Sequence, residues 1–297
     1  MAAFMPYVSL GSAVLYGGLS ISMNFVNKYT MQIFPLSNCI LIMQMAATFV
    51  ILWTLRQLRV IEFPPFSAAK CRRFFGISVL YTANTGFALF GLKTLNIPMY
   101  NVLKRMTPVM VLCVKACALR RWPPMQITMS VMMVVAGCLV AGVGDLSFDM
   151  VGYACAFASC AMQAAYLLLV EFQGSATDTS ELLYYNSITS LPLLIPIAYM
   201  AGELPVLSGA WAAAIISSGS VWLAAATIAS CSLMGMLLNY ALFLCTQSNS
   251  ALTTTIVGVL KGVVAVALGF FLLGGIKTSF WNTCGIVINT LGGSTTQ

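Results

Sequence analysis

Two short runs decide how this chain is read: Val102-Leu103-Lys104-Arg105 and Val259-Leu260-Lys261. Each sets a lysine inside a stretch of apolar residues long enough to cross a bilayer, for which about 20 residues are needed. A Lys or Arg at the centre of such a helix costs roughly 2.5–3.5 kcal/mol on insertion scales, and it persists where it faces a polar cavity and has something to bind. At about 1.5 Å per residue, Lys104 lies roughly 10 Å deep from one side and Lys261 roughly 15 Å deep from the other. Both therefore approach the middle of a hydrocarbon core about 30 Å thick.

The rest of the composition agrees with a membrane setting. Of 297 residues, 60% are hydrophobic and only 7% are charged, against about 25% charged in an ordinary soluble domain. So few charges cannot form the polar skin of a soluble fold of this size. High hydrophobicity equally excludes a disordered chain. Histidine is absent, and the 14 Lys+Arg against 7 Asp+Glu give a net charge of +7. Without histidine, and with Glu62, Asp145, Asp149, Glu171, Asp178, Glu181 and Glu203 mostly near span ends, an enzyme is a poor reading and no metal or cofactor is expected. The ten cysteines are scattered, without a CxxC pair, and read as small buried hydrophobes. The first apolar run is long enough to span and reads as helix one rather than a removed leader.

The pattern predicts an all-α membrane protein with ten spans, near Pro6–Thr30, Leu36–Leu55, Phe74–Leu92, Ile97–Leu119, Met125–Gly144, Val151–Val170, Leu182–Ala201, Val221–Cys245, Ala251–Leu273 and Phe280–Leu291. The apolar stretch Gly209–Ser217 is short and reads as an interfacial approach to span eight. Joints such as Phe63-Pro64-Pro65, Trp122-Pro123-Pro124 and Gly202-Glu203-Leu204-Pro205 leave no room for a soluble domain. Arg56, Arg59, Lys70, Arg72, Arg73, Lys115, Arg120 and Arg121 cluster beside the joints on the amino-terminal side, whereas Lys28, Lys93 and Lys277 fall on the other. The positive-inside rule then places both termini in the cytosol, with the arginines acting first as topology anchors. Ten spans divide into halves of five, residues 1–145 and 146–297. An odd number per half means duplicated halves would insert as inverted repeats, with the binding site near the midplane. The recurrence of Val-Leu-Lys in spans four and nine is a short trace of that duplication.

No acid sits at the depth of Lys104, Arg105 or Lys261, so their charge asks for an anionic ligand, and a phosphate or diphosphate suits it. Proton coupling normally uses a carboxylate or histidine inside the membrane. Exchange of one anion for another is the better reading. Lys28 and Lys115, near span ends, can snorkel. Tyr184-Tyr185-Asn186-Ser187 opens span seven, and an aromatic beside an amide can stack on a base and bond its edge, although tyrosines there also serve as an interfacial belt. Polar groups elsewhere in the spans include Asn24, Asn27, Tyr81, Asn84, Tyr100, Asn101, Gln163, Tyr166, Asn239, Tyr240 and Asn289. Each can bond a neighbouring helix; together they describe a polar interior. Pro108 is expected to break span four one turn after Lys104.

These residues resemble the nucleotide-sugar transporters of the drug/metabolite transporter superfamily, in the branch of UDP-sugar and GDP-mannose carriers. The likeness runs through Val26-Asn27-Lys28, Gln44-Met45, Asn96-Ile97-Pro98-Met99-Tyr100-Asn101-Val102-Leu103-Lys104-Arg105, Gly144-Asp145-Leu146, Gly152-Tyr153 and the Tyr-Tyr-Asn of span seven. It is most specific in Asn249-Ser250-Ala251-Leu252-Thr253-Thr254-Thr255-Ile256-Val257-Gly258-Val259-Leu260-Lys261. The resemblance implies a ten-helix inverted repeat in the Golgi membrane, with the endoplasmic reticulum or an endosome as alternatives. It implies import of a nucleotide sugar in exchange for a nucleoside monophosphate. Tyr184 to Ser187 match the family's base-contacting segment, and Gly258 to Lys261 its phosphate- and sugar-contacting motif.

Two departures favour a UDP-sugar over GDP-mannose. Ser187 replaces the second asparagine of the GDP-mannose carriers' motif, and Lys261 stands one position earlier than in their GALNK, about 100° around the helix. In span six, Ala158-Ser159-Cys160-Ala161-Met162-Gln163 stands where similar UDP-sugar carriers have an Asn-Asp pair. The expected substrate-binding set is Lys261, Lys104, Arg105, Tyr184, Tyr185, Asn186, Gly258, Tyr100, Asn84, Asn239, Tyr240 and Lys28. The expected partners are a nucleotide sugar, a nucleoside monophosphate and the lipid bilayer, with a homodimer admitted and no nucleic acid. The expected activity is antiport of a UDP-sugar against UMP from cytosol to lumen, by rocking one half against the other. A carrier of triose-phosphate-like metabolites or of a GDP-sugar is the alternative, and a non-transporting membrane scaffold is the alternative from another class.

Overall fold

The computed structural model describes residues 5–95, 97–119, 149–174 and 177–261, with isolated positions between 124 and 136. Among these residues the chain is helical, without strands. The helices are α1 (Met5–Ile33), α2 (Ser37–Gln57), α3 (Ala68–Thr94), α4 (Ile97–Lys104), α5 (Thr107–Leu119), α6 (Met150–Gly174), α7 (Thr179–Met200), α8 (Leu207–Ser218), α9 (Val221–Ser248) and α10 (Ala251–Lys261). Five of them, α1, α2, α3, α6 and α9, are long and apolar enough to cross a membrane. Most of predicted span five, all of span ten and the end of span nine lie outside the described residues.

Sequence and structure agree on where most helices stop, for identifiable reasons. Gly219 (φ 73°) ends α8 in the left-handed region, and Gly202 (φ 72°) does so in the turn after α7; only glycine enters that region without steric cost. Asp178 caps α7, its side chain accepting from the Ser180 amide at 2.9 Å. Predicted span four is two helices. Pro108 has no N–H to give to the Lys104 carbonyl, and its ring would strike that carbonyl in a continuous helix. The chain turns at Arg105-Met106, and the Thr107 hydroxyl donates to the Lys104 carbonyl at 2.8 Å instead. Gly209–Ser217, expected as an interfacial approach, belongs to the 12-residue helix α8.

The chain forms two compact units, Met1–Thr82 with Phe172–Ser248 and Ala83–Glu171 with Asn249–Gln297. Each takes elements from both sequence halves. In the first unit α1 packs on α9, and α2 packs on α7 and α9. Met23, Phe34, Cys39, Ile40, Ala214 and Cys231 are buried together there. Gly235 lets α9 approach α2 closely: a Cβ at this position would lie 2.5 Å from Gln44 Cδ. Gln44 Nε2 reaches Cys231 Sγ at 3.5 Å, and that thiol lies 3.3 Å from Asn27 Oδ1, so a polar chain ties α2 and α9 to α1. The Glu203 carboxylate accepts from the Asn38 amide (2.8 Å), Asn38 Nδ2 (2.7 Å) and the Cys39 amide (3.0 Å). It thereby satisfies orphan donors at the start of α2, where a negative charge also suits the helix dipole.

In the second unit Leu95, Met99, Tyr100, Leu103 and Ala156 are buried together. Gly152 admits the α3–α4 joint, since a Cβ there would meet Thr94 Oγ1 at 2.5 Å and Leu95 at 2.8 Å. Exposed apolar side chains such as Tyr7, Val14, Trp53, Met200, Ile216 and Trp222 cover the outer surfaces. Outward apolar surface on this scale belongs in lipid rather than water.

Candidate functional site

In the second unit, the last turn of α4 sets Lys104 toward α3 and α6. Its Nζ donates to Ser159 Oγ (2.6 Å), Asn84 Oδ1 (3.0 Å) and Gln163 Oε1 (3.1 Å). An ammonium has three protons to donate, and three neutral acceptors from two helices take them. Ser159 Oγ in turn lies 2.8 Å from Asn84 Oδ1 and 3.1 Å from the Asn84 carbonyl. Among the described residues no carboxylate lies within ion-pair distance of Lys104. Neutral dipoles solvate the charge but do not cancel it.

Lys261, on α10, belongs to the same unit and is half-buried. Gly258 stands three residues earlier on the same helix, close to the same face. Arg105 is buried at the α4–α5 turn, and Tyr100 is buried one helical turn before Lys104. Lys104, Lys261, Arg105, Asn84, Tyr100 and Gly258 thus fall in one unit.

α10 is held by its start. Glu171, near the end of α6, places Oε1 2.5 Å from Lys115 Nζ and accepts from the Ala251 amide on Oε2 at 2.9 Å. Lys115, expected to snorkel, is thus ion-paired. One carboxylate links α5, α6 and the amino-terminal end of α10, the helix that carries Lys261.

The span-seven residues fall in the first unit and are packed. Tyr184 sits 5.5 Å from the Phe49 ring and 5.2 Å from that of Phe63, and Tyr185 sits 5.9 Å from Phe66 and 5.8 Å from Phe74. The Tyr185 hydroxyl accepts from the Ser67 amide at 2.9 Å. Asn186 Oδ1 accepts from Ser78 Oγ at 3.1 Å, while its Nδ2 is buried and finds no hydrogen-bond partner among the described residues. Asn239 is buried on α9, with the Tyr81 hydroxyl at 3.5 Å, and Tyr240 follows it half-buried. Lys28 is exposed on α1.

Sequence reasoning did not single out Ser159 or Glu171 for roles near these lysines. A signal for the first was available: Ser159 and Gln163 stand four apart and share one face of α6. Glu171 carried no such signal, because its partners are 56 and 80 residues away.

Residues 11–294 match the model of the Triose-phosphate Transporter family. The chain is 40% identical over 289 residues to UDP-galactose/UDP-glucose transporter 7 of Arabidopsis thaliana, covering 96% of this chain and 88% of that one. It is 33% identical to UDP-sugar transporter UST74c of Drosophila melanogaster, covering 95% and 75%. It is also 24% identical to GDP-mannose transporter GONST1 of Arabidopsis thaliana, covering 96% and 87%. A solved crystal structure shares the fold with a TM-score of 0.63 at 13% identity, covering 99% of this chain and 96% of that one. The chain belongs to the Triose-phosphate Transporter family, among its nucleotide-sugar transporters.

Proposed function

We propose that this protein carries a UDP-sugar from the cytosol to the lumen of the Golgi in exchange for UMP, by alternating access of a ten-span inverted repeat with both termini cytosolic. The relatives named for UDP-sugars support the substrate class. One observation carries the assignment of the site: Lys104 is surrounded by Asn84, Ser159 and Gln163, with no counter-acid among the described residues, and falls in the same unit as Lys261. A diphosphate brings the missing negative charge. Lys104 and Lys261 hold it as point charges and Arg105 adds a fork of donors. Gly258, beside Lys261, keeps that face of α10 open for close approach.

A phosphate monoester carries about −1.5 to −2 charges near neutral pH, close to the two charges of a diphosphate diester. Swapping a UDP-sugar for UMP therefore leaves the cationic cluster almost equally compensated at every stage. Tyr184, Tyr185 and Asn186 are assigned to the base end, with the buried Asn186 amide as the group free to bond a uracil edge. Proteoliposomes loaded with UMP test the reading. They should take up external UDP-sugar, and free UMP, but not triose phosphate, should compete. Uptake that is indifferent to UMP, or thermal stability that no nucleotide changes, would favour a phosphorylated-metabolite carrier or a scaffold instead.

A further inference from the structure

The α2–α3 joint holds a feature made of residues outside the proposed substrate-binding set. The carboxy-terminal end of α2 and the chain after it form an open surface cavity of about 440 Å³ lined by Arg56, Arg59, Ile61, Glu62, Phe63 and Pro64. Two arginines against one glutamate leave it net positive. The Arg56 guanidinium lies 5.4 Å over the Phe63 ring, a cation–π contact that holds it in place at the mouth.

Arg59 has φ 56°, in the left-handed region. Its amide bonds the Arg56 carbonyl at 3.0 Å, and the Val60 amide bonds the Leu55 carbonyl at 3.0 Å. This hydrogen-bond pattern closes a helix end whose left-handed position is usually filled by glycine. A bulky side chain held there is a strained choice, and such outliers gather where a side chain is needed in a given place. Leu58, Val60 and Phe66 beside it are exposed. Apolar side chains facing outward next to arginines mark the level where hydrocarbon gives way to headgroups.

We propose that this cavity binds the phosphate headgroup of an anionic phospholipid of the cytosolic leaflet, with Arg56 and Arg59 as its ligands and Leu58, Val60 and Phe66 against the acyl chains. The exposed apolar rim favours a lipid over a soluble anion. The orientation follows from the basic residues around this joint and is independent of what the carrier transports.

The test is retention of lipid by the full chain, read by native mass spectrometry after reconstitution in phosphatidylcholine with and without phosphatidylserine in both leaflets. The wild type should retain phosphatidylserine preferentially. Arg59→Gly and Arg56→Gln should each lower that preference about fivefold, whereas Arg72→Gln, an exposed arginine outside the cavity, should not. Arg59→Gly should unfold no earlier than the wild type in pure phosphatidylcholine, because glycine suits that backbone. An unchanged preference in the double variant, an equal loss in Arg72→Gln, displacement of the lipid by inorganic phosphate, or early unfolding of Arg59→Gly would each overturn the proposal.

Discussion

Lys104 and Tyr185 were both singled out from sequence as ligand groups, and the structure treats them differently. Lys104 sits among side-chain amides and a hydroxyl that solvate it without neutralising it. Tyr185 is fully buried between Phe66 and Phe74, with its hydroxyl used by the Ser67 amide. The difference follows from what each group costs. An aromatic ring is welcome in any packed core, so its presence says little about ligands. An uncompensated ammonium in an apolar setting is expensive everywhere, so its presence needs a use.

Substitutions can break or sharpen that contrast. The largest effect is expected from Lys104→Ala, which should insert normally yet lower the initial rate of UDP-sugar uptake into proteoliposomes about a hundredfold, as for losing one partner of a buried charged contact. Lys261→Ala should act similarly. Uptake within a factor of two of wild type would make these lysines structural.

Glu203→Ala should show the opposite pattern. It leaves three donors at the start of α2 unsatisfied and should cost about 2–3 kcal/mol of stability, read as a lower melting temperature with KM unchanged. Tyr185→Phe removes one hydrogen bond and keeps the packing, so a loss of about 1 kcal/mol in stability is expected. A large rise in KM for that variant would show that the hydroxyl itself meets the base. Glu171→Gln should have the smallest effect on stability, about 0.5 kcal/mol for a half-exposed ion pair. Its rise in KM, through a looser α10 carrying Lys261, should exceed what that loss explains.

The span-six stretch from Ala158 to Gln163 gains a meaning here. In sequence it departs from the pattern of similar UDP-sugar carriers. In the structure Ser159 and Gln163 are two of the three acceptors of Lys104. The departure therefore falls on residues that set how Lys104 is solvated.

Several features were legible from the chain alone. The apolar runs correspond to helices throughout the described residues. The break before Pro108 followed from a missing N–H, and the lysines inside apolar runs stood out as cations without an acid at their depth. Most of span five and all of span ten, with Asn289 and Lys277, lie outside the described residues. The acids near span ends were visible too, but not their tasks: Glu171 bridges Lys115 and α10, Glu181 pairs with Lys70 at 2.5 Å, and Glu203 caps α2.

Sequence by itself determined the solvent this chain lives in, the places where helices run and stop, and the cations that lack a local explanation. All of these depend on residues within a few turns of one another, through hydropathy, backbone sterics and charge. Only the tertiary structure decided that Asn84, Ser159 and Gln163 surround Lys104, that Tyr184 packs on Phe49 and Phe63 and Tyr185 on Phe66 and Phe74, and that Glu203 reaches back to α2. Those outcomes depend on which distant helices meet, and hydrogen bonds and ring packing choose among many chemically equivalent partners that no local pattern ranks.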